Sequence, residues 1–248
     1  TDLNDLNALQ EIGDGLIVVN NSALVDLGTV GQIQTLAGDL NISVNPKLVH
    51  LDGLTGLTTV GGDVNIYGLA LLADTNGLRS ITRVDGNLII WRNPVMTDID
   101  GLAQLELVGQ RLEIAENDSL TDLAGLKNLG EVGADVVIQK NRELVRLDGL
   151  TKLESIAGAF AIQLNASLTN IHEIENVQVV GGEISIRFNE VLESIDGLRG
   201  ITSVQGSLTV TDNTNLSDCS IENLLKDISD DINGTTHVAN NNAELSCE

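Results

Sequence analysis

Aromatic residues are scarce in this chain: Tyr67, Trp91, Phe160 and Phe188 are the four in 248 residues. Hydrophobic residues still make up 42%, so the core must be aliphatic. That composition suits thin stacked layers, whose interior is too narrow for many rings. Cysteine is nearly absent. Cys219 and Cys247 alone exclude a disulfide-rich scaffold and give no zinc-ligand spacing. Cations are few, 13 Lys and Arg against 36 Asp and Glu, for a formal net charge of −23. Phosphate backbones and anionic lipid surfaces would be repelled, so neither nucleic acid nor a membrane surface is an expected partner. The acidity reads first as a solubility device. No apolar run is long enough to span a bilayer, so membrane insertion is not expected. Thr1 follows no signal segment, so the chain is read as mature or trimmed.

What is present is a repeat. Taking Leu40 as position 0, the same slot returns every 24 residues without insertion: Leu16, Leu40, Val64, Leu88, Leu112, Val136, Phe160, Ile184 and Leu208. Position 2 runs Val18, Ile42, Ile66 and onward to Val210. Position 5 is Asn21, Asn45, Leu69, Asn93, Asn117, Asn141, Asn165, Asn189 and Asn213, and position 8 is Leu or Met. Further aliphatic columns fall at positions 11, 14, 17 and 20, as in Leu51, Leu54, Leu57 and Val60. Leu3, Leu6, Leu9 and Ile12 extend those columns backward, so the repeat starts mid-coil. Either an earlier coil has been removed or the chain caps itself there.

A fixed period of this size is the signature of a solenoid. Nine steps of roughly 4.8 Å give a rod on the order of 40 Å long. Positions 0 and 2 alternate as a strand with one face inward. The three-residue spacing that follows is read as short extended stretches between corners, with little or no helix. Glycines at positions 13, 21 and 22 are expected to supply backbone freedom at those corners. The Asn column is expected at the bend, its amides bonding backbone and each other along the rod. Position 12 carries Asp on every second coil, at Asp52, Asp100, Asp148 and Asp196. Turn capping by these carboxylates fits better than a calcium ladder, which wants carboxylates clustered with backbone oxygens.

The coil from Gly38 to Gly61, with its Leu-x-Ile-x-x-Asn core, resembles the receptor L domain, a relative of the leucine-rich repeats. The resemblance covers residues 1 to about 219. Its next leucine comes at position 8 rather than 7, and no coil carries a convincing helix. That departure points away from a helix-backed horseshoe and toward the L-domain kind of right-handed parallel β-solenoid, mainly β, with about nine to ten coils. The regularity is closest to bacterial cell-surface members. The resemblance implies an extracellular module that binds a protein or glycan on a sheet surface. It carries over no catalytic motif.

After Leu216 the period breaks. Ile221, Leu224, Leu225 and Ile228 have helical spacing, so residues 220–230 read as a short amphipathic capping helix, with Asp218 or Ser220 as candidate N-caps. Thr236, Val238 and Asn241 then restart the pattern as a tenth coil. Residues 1–219 are therefore the solenoid and 220–248 its cap, one domain together. In that alignment Cys219 and Cys247 fall one coil apart, within disulfide reach, and a bridge would imply an oxidising compartment. Of six Asn-x-Ser/Thr sequons, those at Asn117 and Asn165 fall in the inward Asn column, where a glycan cannot fit.

Outward residues occupy positions 1, 3 and 4. His50, His172 and His237 fall in different columns, and Glu113 and Glu116 find no partner acid across the sheet. No catalytic residue, metal site or cofactor is expected. Position 3 places Tyr67 and Trp91 on adjacent coils facing outward, with Arg92 and Glu116 beside them and Leu164 and Phe188 further along at position 4. Tyr67, Trp91, Arg92, Glu116 and Phe188 are the candidate ligand-binding residues; a cross-strand pair that only stabilises the sheet is the simpler reading of the rings. A spacer in a larger surface protein is the main alternative function. An ice-binding solenoid is the lesser one, because the outward columns lack a repeated Thr rank. End-to-end or edge association through the N-terminal coil is the expected assembly mode.

Overall fold

The computed structural model describes residues 2–30 and 32–242, and the side chain of Ser229 is left aside. Among the described residues the chain is mainly β. Each coil contributes one four-residue strand, as Leu40–Ser43, Val64–Tyr67 and Leu88–Trp91, to a ten-stranded sheet. A two-residue strand later in the coil, as Thr59–Val60, contributes to an eight-stranded sheet. Every pairing is parallel, and the registers Leu40↔Val64 and Thr59↔Arg83 carry the 24-residue period into space. The expected parallel β-solenoid is what the chain forms.

Positions 0 and 2 point inward from Leu40 to Val210, and Leu88, Ile90, Leu112, Ile114, Val136 and Ile138 have no exposed surface. Positions 8, 11, 14, 17 and 20 close the rest of the ring, as Leu144, Leu147, Leu150, Leu153 and Ile156 do. One aliphatic core therefore runs continuously through all coils.

The stretch between the two strands differs from the expectation. It holds a single 3-10 turn in each coil, as at Asp52–Leu54, Asp100–Leu102 and Asp148–Leu150. A 3-10 path has three residues per turn, which is why leucines three apart share one inward face. The bond Leu54 N–H to Leu51 O is 2.9 Å, and Leu57 N–H to Leu54 O repeats it.

Two further expectations are corrected. Glycines at position 13 do not serve corners that need unusual dihedrals; among the described residues the positive-φ glycines are Gly28 and Gly68, at positions 12 and 4. Position 13 is glycine because the coils approach too closely for a side chain. A Cβ on Gly149 would stand 1.7 Å from Leu123 O, and one on Gly101 1.8 Å from Thr75 O. The Asp residues at position 12 do not cap their own turns, whose starts carry no side-chain cap. The capping group lies two residues earlier, where Asp74 and Asp122 Oδ1 each accept the position-12 N–H at 2.9 Å. A short side chain reaching the N–H two residues on is the Asx turn, and the earlier residue has that reach.

The bend after the long strand is made by position 4. Asn20, Val44, Arg92, Glu116, Lys140, Leu164, Phe188, Asp212 and Asn240 all adopt φ between 54° and 62°, the left-handed region that costs an L-residue roughly 1–2 kcal/mol. The next residue holds this bend in place. Asn141 is fully buried, its amide donates to Ile114 O at 2.9 Å, and its Oδ1 accepts the Asn117 N–H at 3.1 Å. The same three-way bonding runs from Asn93 to Asn213 and ends on Asn241. Asn117 and Asn165 are fully buried, as the inward column requires.

At the C-terminal end a helix spans Asp218–Ile228 and buries Ile221, Leu224 and Ile228. It starts two residues before the expected 220–230. The side chain at its start is Ser217, whose Oγ accepts the Cys219 N–H at 3.2 Å, rather than Asp218 or Ser220. Arg199 joins the helix to the preceding coil by pairing with both Asp196 and Asp227. The strand Thr236–Ala239 then pairs with Leu208–Thr211 as the tenth coil. Cys247 lies outside the described residues, and so does its expected bridge to Cys219.

Candidate functional site

The parallel register sets Tyr67 directly opposite Trp91. Neighbouring strands lie close to 4.8 Å apart, and the two rings stack at 4.9 Å between centroids with 28° between planes. Both are half-buried. The left-handed bend at Arg92, φ 56°, turns its side chain back across the aromatic pair, and Cζ lies 4.8 Å from the Trp91 ring centroid. That is cation–π distance.

Arg92, Glu116 and Lys140 hold position 4 in three successive coils, all with the same bend. Arg92 Nε lies 2.6 Å from Glu116 Oε2, and Lys140 Nζ lies 3.3 Å from Glu116 Oε1. Glu116 is thus the anion between two cations. The Arg92 hydrogen bond, with smaller help from Lys140 and Trp91, holds its carboxyl below the ordinary carboxylate value despite partial burial. The Arg92 guanidinium is pushed up in turn, chiefly by Glu116 and then by Tyr67. Both cations remain more than half exposed, at 54% and 51%.

One coil back, the same column is Gly68. With no side chain there, a shallow groove of about 510 Å³ opens, lined by Gly68, Ala70, Arg92, Pro94, Glu116, Asp118 and Lys140.

Four of the five candidate residues, Tyr67, Trp91, Arg92 and Glu116, therefore form one cluster. Phe188 does not join it. It is 47% exposed but four coils beyond Arg92, roughly 19 Å along the rod. Lys140 completes the cluster and was not among the expected residues, although the column that held Arg92 and Glu116 contained the signal.

A larger concavity of about 900 Å³ lies along the short-strand face, lined by Thr82, Arg83, Glu106, Glu131, Lys152 and Glu154 among others. Arg83 turns to Asp85 and Lys152 to Asn128, so its charges do not converge on a point. Among the described residues no group of three or more His, Cys, Asp or Glu is arranged to hold a metal ion, and no helix is long and apolar enough to cross a membrane.

The chain matches no protein-family model, no curated protein and no solved structure. The fold and the cluster define it as a parallel β-solenoid with one aromatic and charged patch on its long-strand face.

Proposed function

We propose that the chain is a non-catalytic recognition or adhesion module, displayed outside the cell or at its surface, that binds a protein or glycan around Tyr67, Trp91, Arg92 and Glu116. One observation carries the reading. The scaffold fills position 3 with small or polar residues such as Ser43, Ala115, Gln139 and Thr211, yet places two stacked rings and a cation over them in two adjacent coils. Half-buried aromatics with an arginine are the composition of binding hot spots. The resemblance to receptor L domains and the proposed Cys219–Cys247 bridge support an extracellular setting. No cofactor enters the proposal.

A structural spacer is the second reading, favoured by a period unbroken from Leu16 to Leu208. A glycan array together with a pull-down against envelope or host-surface proteins separates the two. Binding by the wild type that Tyr67→Ala and Trp91→Ala abolish supports recognition. Retention of every interaction by both variants makes the patch structural. Association through the N-terminal coil belongs to the same proposal: Leu3, Leu9, Ile12 and Leu16 pack only partly against the core, and light scattering over a concentration series tests it.

A further inference from the structure

We infer that the partner of this corner is a second copy of the chain, held antiparallel about a twofold axis that passes between the coils of Glu116 and Lys140; this rests on the recognition reading above and names its protein ligand. The groove beside the Tyr67–Trp91 stack selects no ion. Its charges cancel, Arg92 and Lys140 against Glu116 and Asp118, and Glu116 already holds both cations. What remains to be filled is the floor of small apolar groups left by Gly68, Ala70 and Pro94, which suits an uncharged ring.

The chain displays such a ring in the same column. Gly68 holds position 4 of the third coil and Phe188 position 4 of the eighth. Phe188 is 47% exposed, and its φ of 57° is one that a bulky residue rarely adopts. The fold thus turns an aromatic ring to solvent at a cost in backbone energy. A twofold axis perpendicular to the rod sets a column against itself in reverse. With the axis midway between Gly68 and Phe188, each Phe188 enters the Gly68 groove of the other copy.

That one operation fixes every other pair. Leu71, 49% exposed, comes opposite Val191, 39% exposed. Asp118 comes opposite Arg142, whose side chain is 75% exposed and reaches Glu143 only at 3.8 Å. Glu116 meets Lys140, so the ion pairing within each copy continues across the axis. At the rim, Arg187 faces Tyr67, a cation against a ring. From the third to the eighth coil, positions 4, 6 and 7 then oppose no two like charges. A shift of one coil either way sets Glu116 or Lys140 against its own symmetry mate, a repulsive element of the kind specificity requires. The contact runs over five coil steps, roughly 24 Å, a short strip that makes the association weak and reversible.

Sedimentation equilibrium of the full chain over a concentration series tests this, and the wild type is expected to dimerise. Phe188→Asp removes the ring, and Gly68→Asn fills its groove with a residue that the bend accepts at Asn20 and Asn240. Each should weaken the dimer by more than about tenfold, with unchanged melting profiles showing intact folds. Asp118→Arg sets cations against Arg142 and should also weaken it; adding Arg142→Asp should restore dimerisation, which the loss of an unrelated contact would not. A wild type that stays monomeric up to about 1 mM overturns the second copy. A dimer indifferent to Phe188→Asp and Gly68→Asn overturns the groove as its seat, and a double exchange that restores nothing overturns the register. Binding of a different protein or a glycan that Trp91→Ala abolishes, by a chain that stays monomeric, overturns the inference and keeps the recognition module.

Discussion

The side-chain oxygen of Asn117 accepts two hydrogen bonds from Asn93, one from its backbone N–H at 3.1 Å and one from its amide nitrogen at 3.2 Å. Each asparagine from Asn93 to Asn213 donates toward its C-terminal neighbour in this way, so the ladder has a direction. Asn141→Ala removes the acceptor for two Asn117 donors and the donor to Ile114 O at once. Buried groups left unpaired cost about 1–3 kcal/mol each, so urea denaturation should show a loss on the order of 3 kcal/mol. Asn141→Asp should not restore it, because a carboxylate cannot donate to that carbonyl.

Leu69 interrupts the ladder: its N–H reaches Asn93 Oδ1 at 3.1 Å, but its side chain returns nothing to Asn45. Leu69→Asn restores an acceptor for the Asn45 donors while giving up apolar burial. The two effects are similar in size, so its stability should stay within about 1 kcal/mol of wild type. Leu72→Asn, three residues on and equally buried, has no rung to join and should lose more than about 3 kcal/mol. Equal losses in the two variants would refute the ladder's role.

Glu173 occupies the column where Gly149 and Gly197 leave no room for a Cβ. The local 3-10 bond is stretched, 3.4 Å for Ile174 N–H to Ile171 O against 2.8 Å for Leu126 N–H to Leu123 O. Its Oε2 is buried without a hydrogen-bond partner. Glu173→Gly should stabilise the protein by about 1 kcal/mol, net of the entropy cost of glycine. A lower melting temperature in the variant would contradict this account.

Asp98 sits one coil from Asp74, and its carboxyl is pushed above the ordinary value by burial and then by Asp100 and Asp74. A raised acid favours the folded state when protonated, so its penalty exists at neutral pH and fades as pH falls through the folded pKa. Asp98→Asn keeps an oxygen for the Asp100 N–H. It should gain on the order of 0.5 kcal/mol at neutral pH, and the gain should vanish in acid, as melting curves across pH would show.

The repeat made the solenoid legible because Leu40, Val64 and Leu88 recur with no insertion, and a 24-residue step can place them only one above another. The Tyr67–Trp91 contact followed from the same alignment. The asparagine column marks the bend, but the left-handed residue at position 4 is not legible, because its residues share a dihedral and no chemistry: valine, arginine, lysine and phenylalanine all take it. The 3-10 turns are not legible in the same way, because a three-residue spacing matches the period of neither an α-helix nor a strand. Phe188 shares its column with Arg92 and Glu116, but a column shows alignment along the rod, whereas contact depends on how many coils intervene.

The two sheets have one mechanical consequence. Their hydrogen bonds run along the rod axis, from Leu40 to Asp63 and from Val64 to Asn87. Tension applied along that axis loads each coil's bonds one rank at a time, as in unzipping, rather than all together in shear. Under pull the rod should lengthen in equal steps, each freeing one coil of 24 residues, about 80 Å of extended chain, at forces well below those of a shear-loaded β-sandwich.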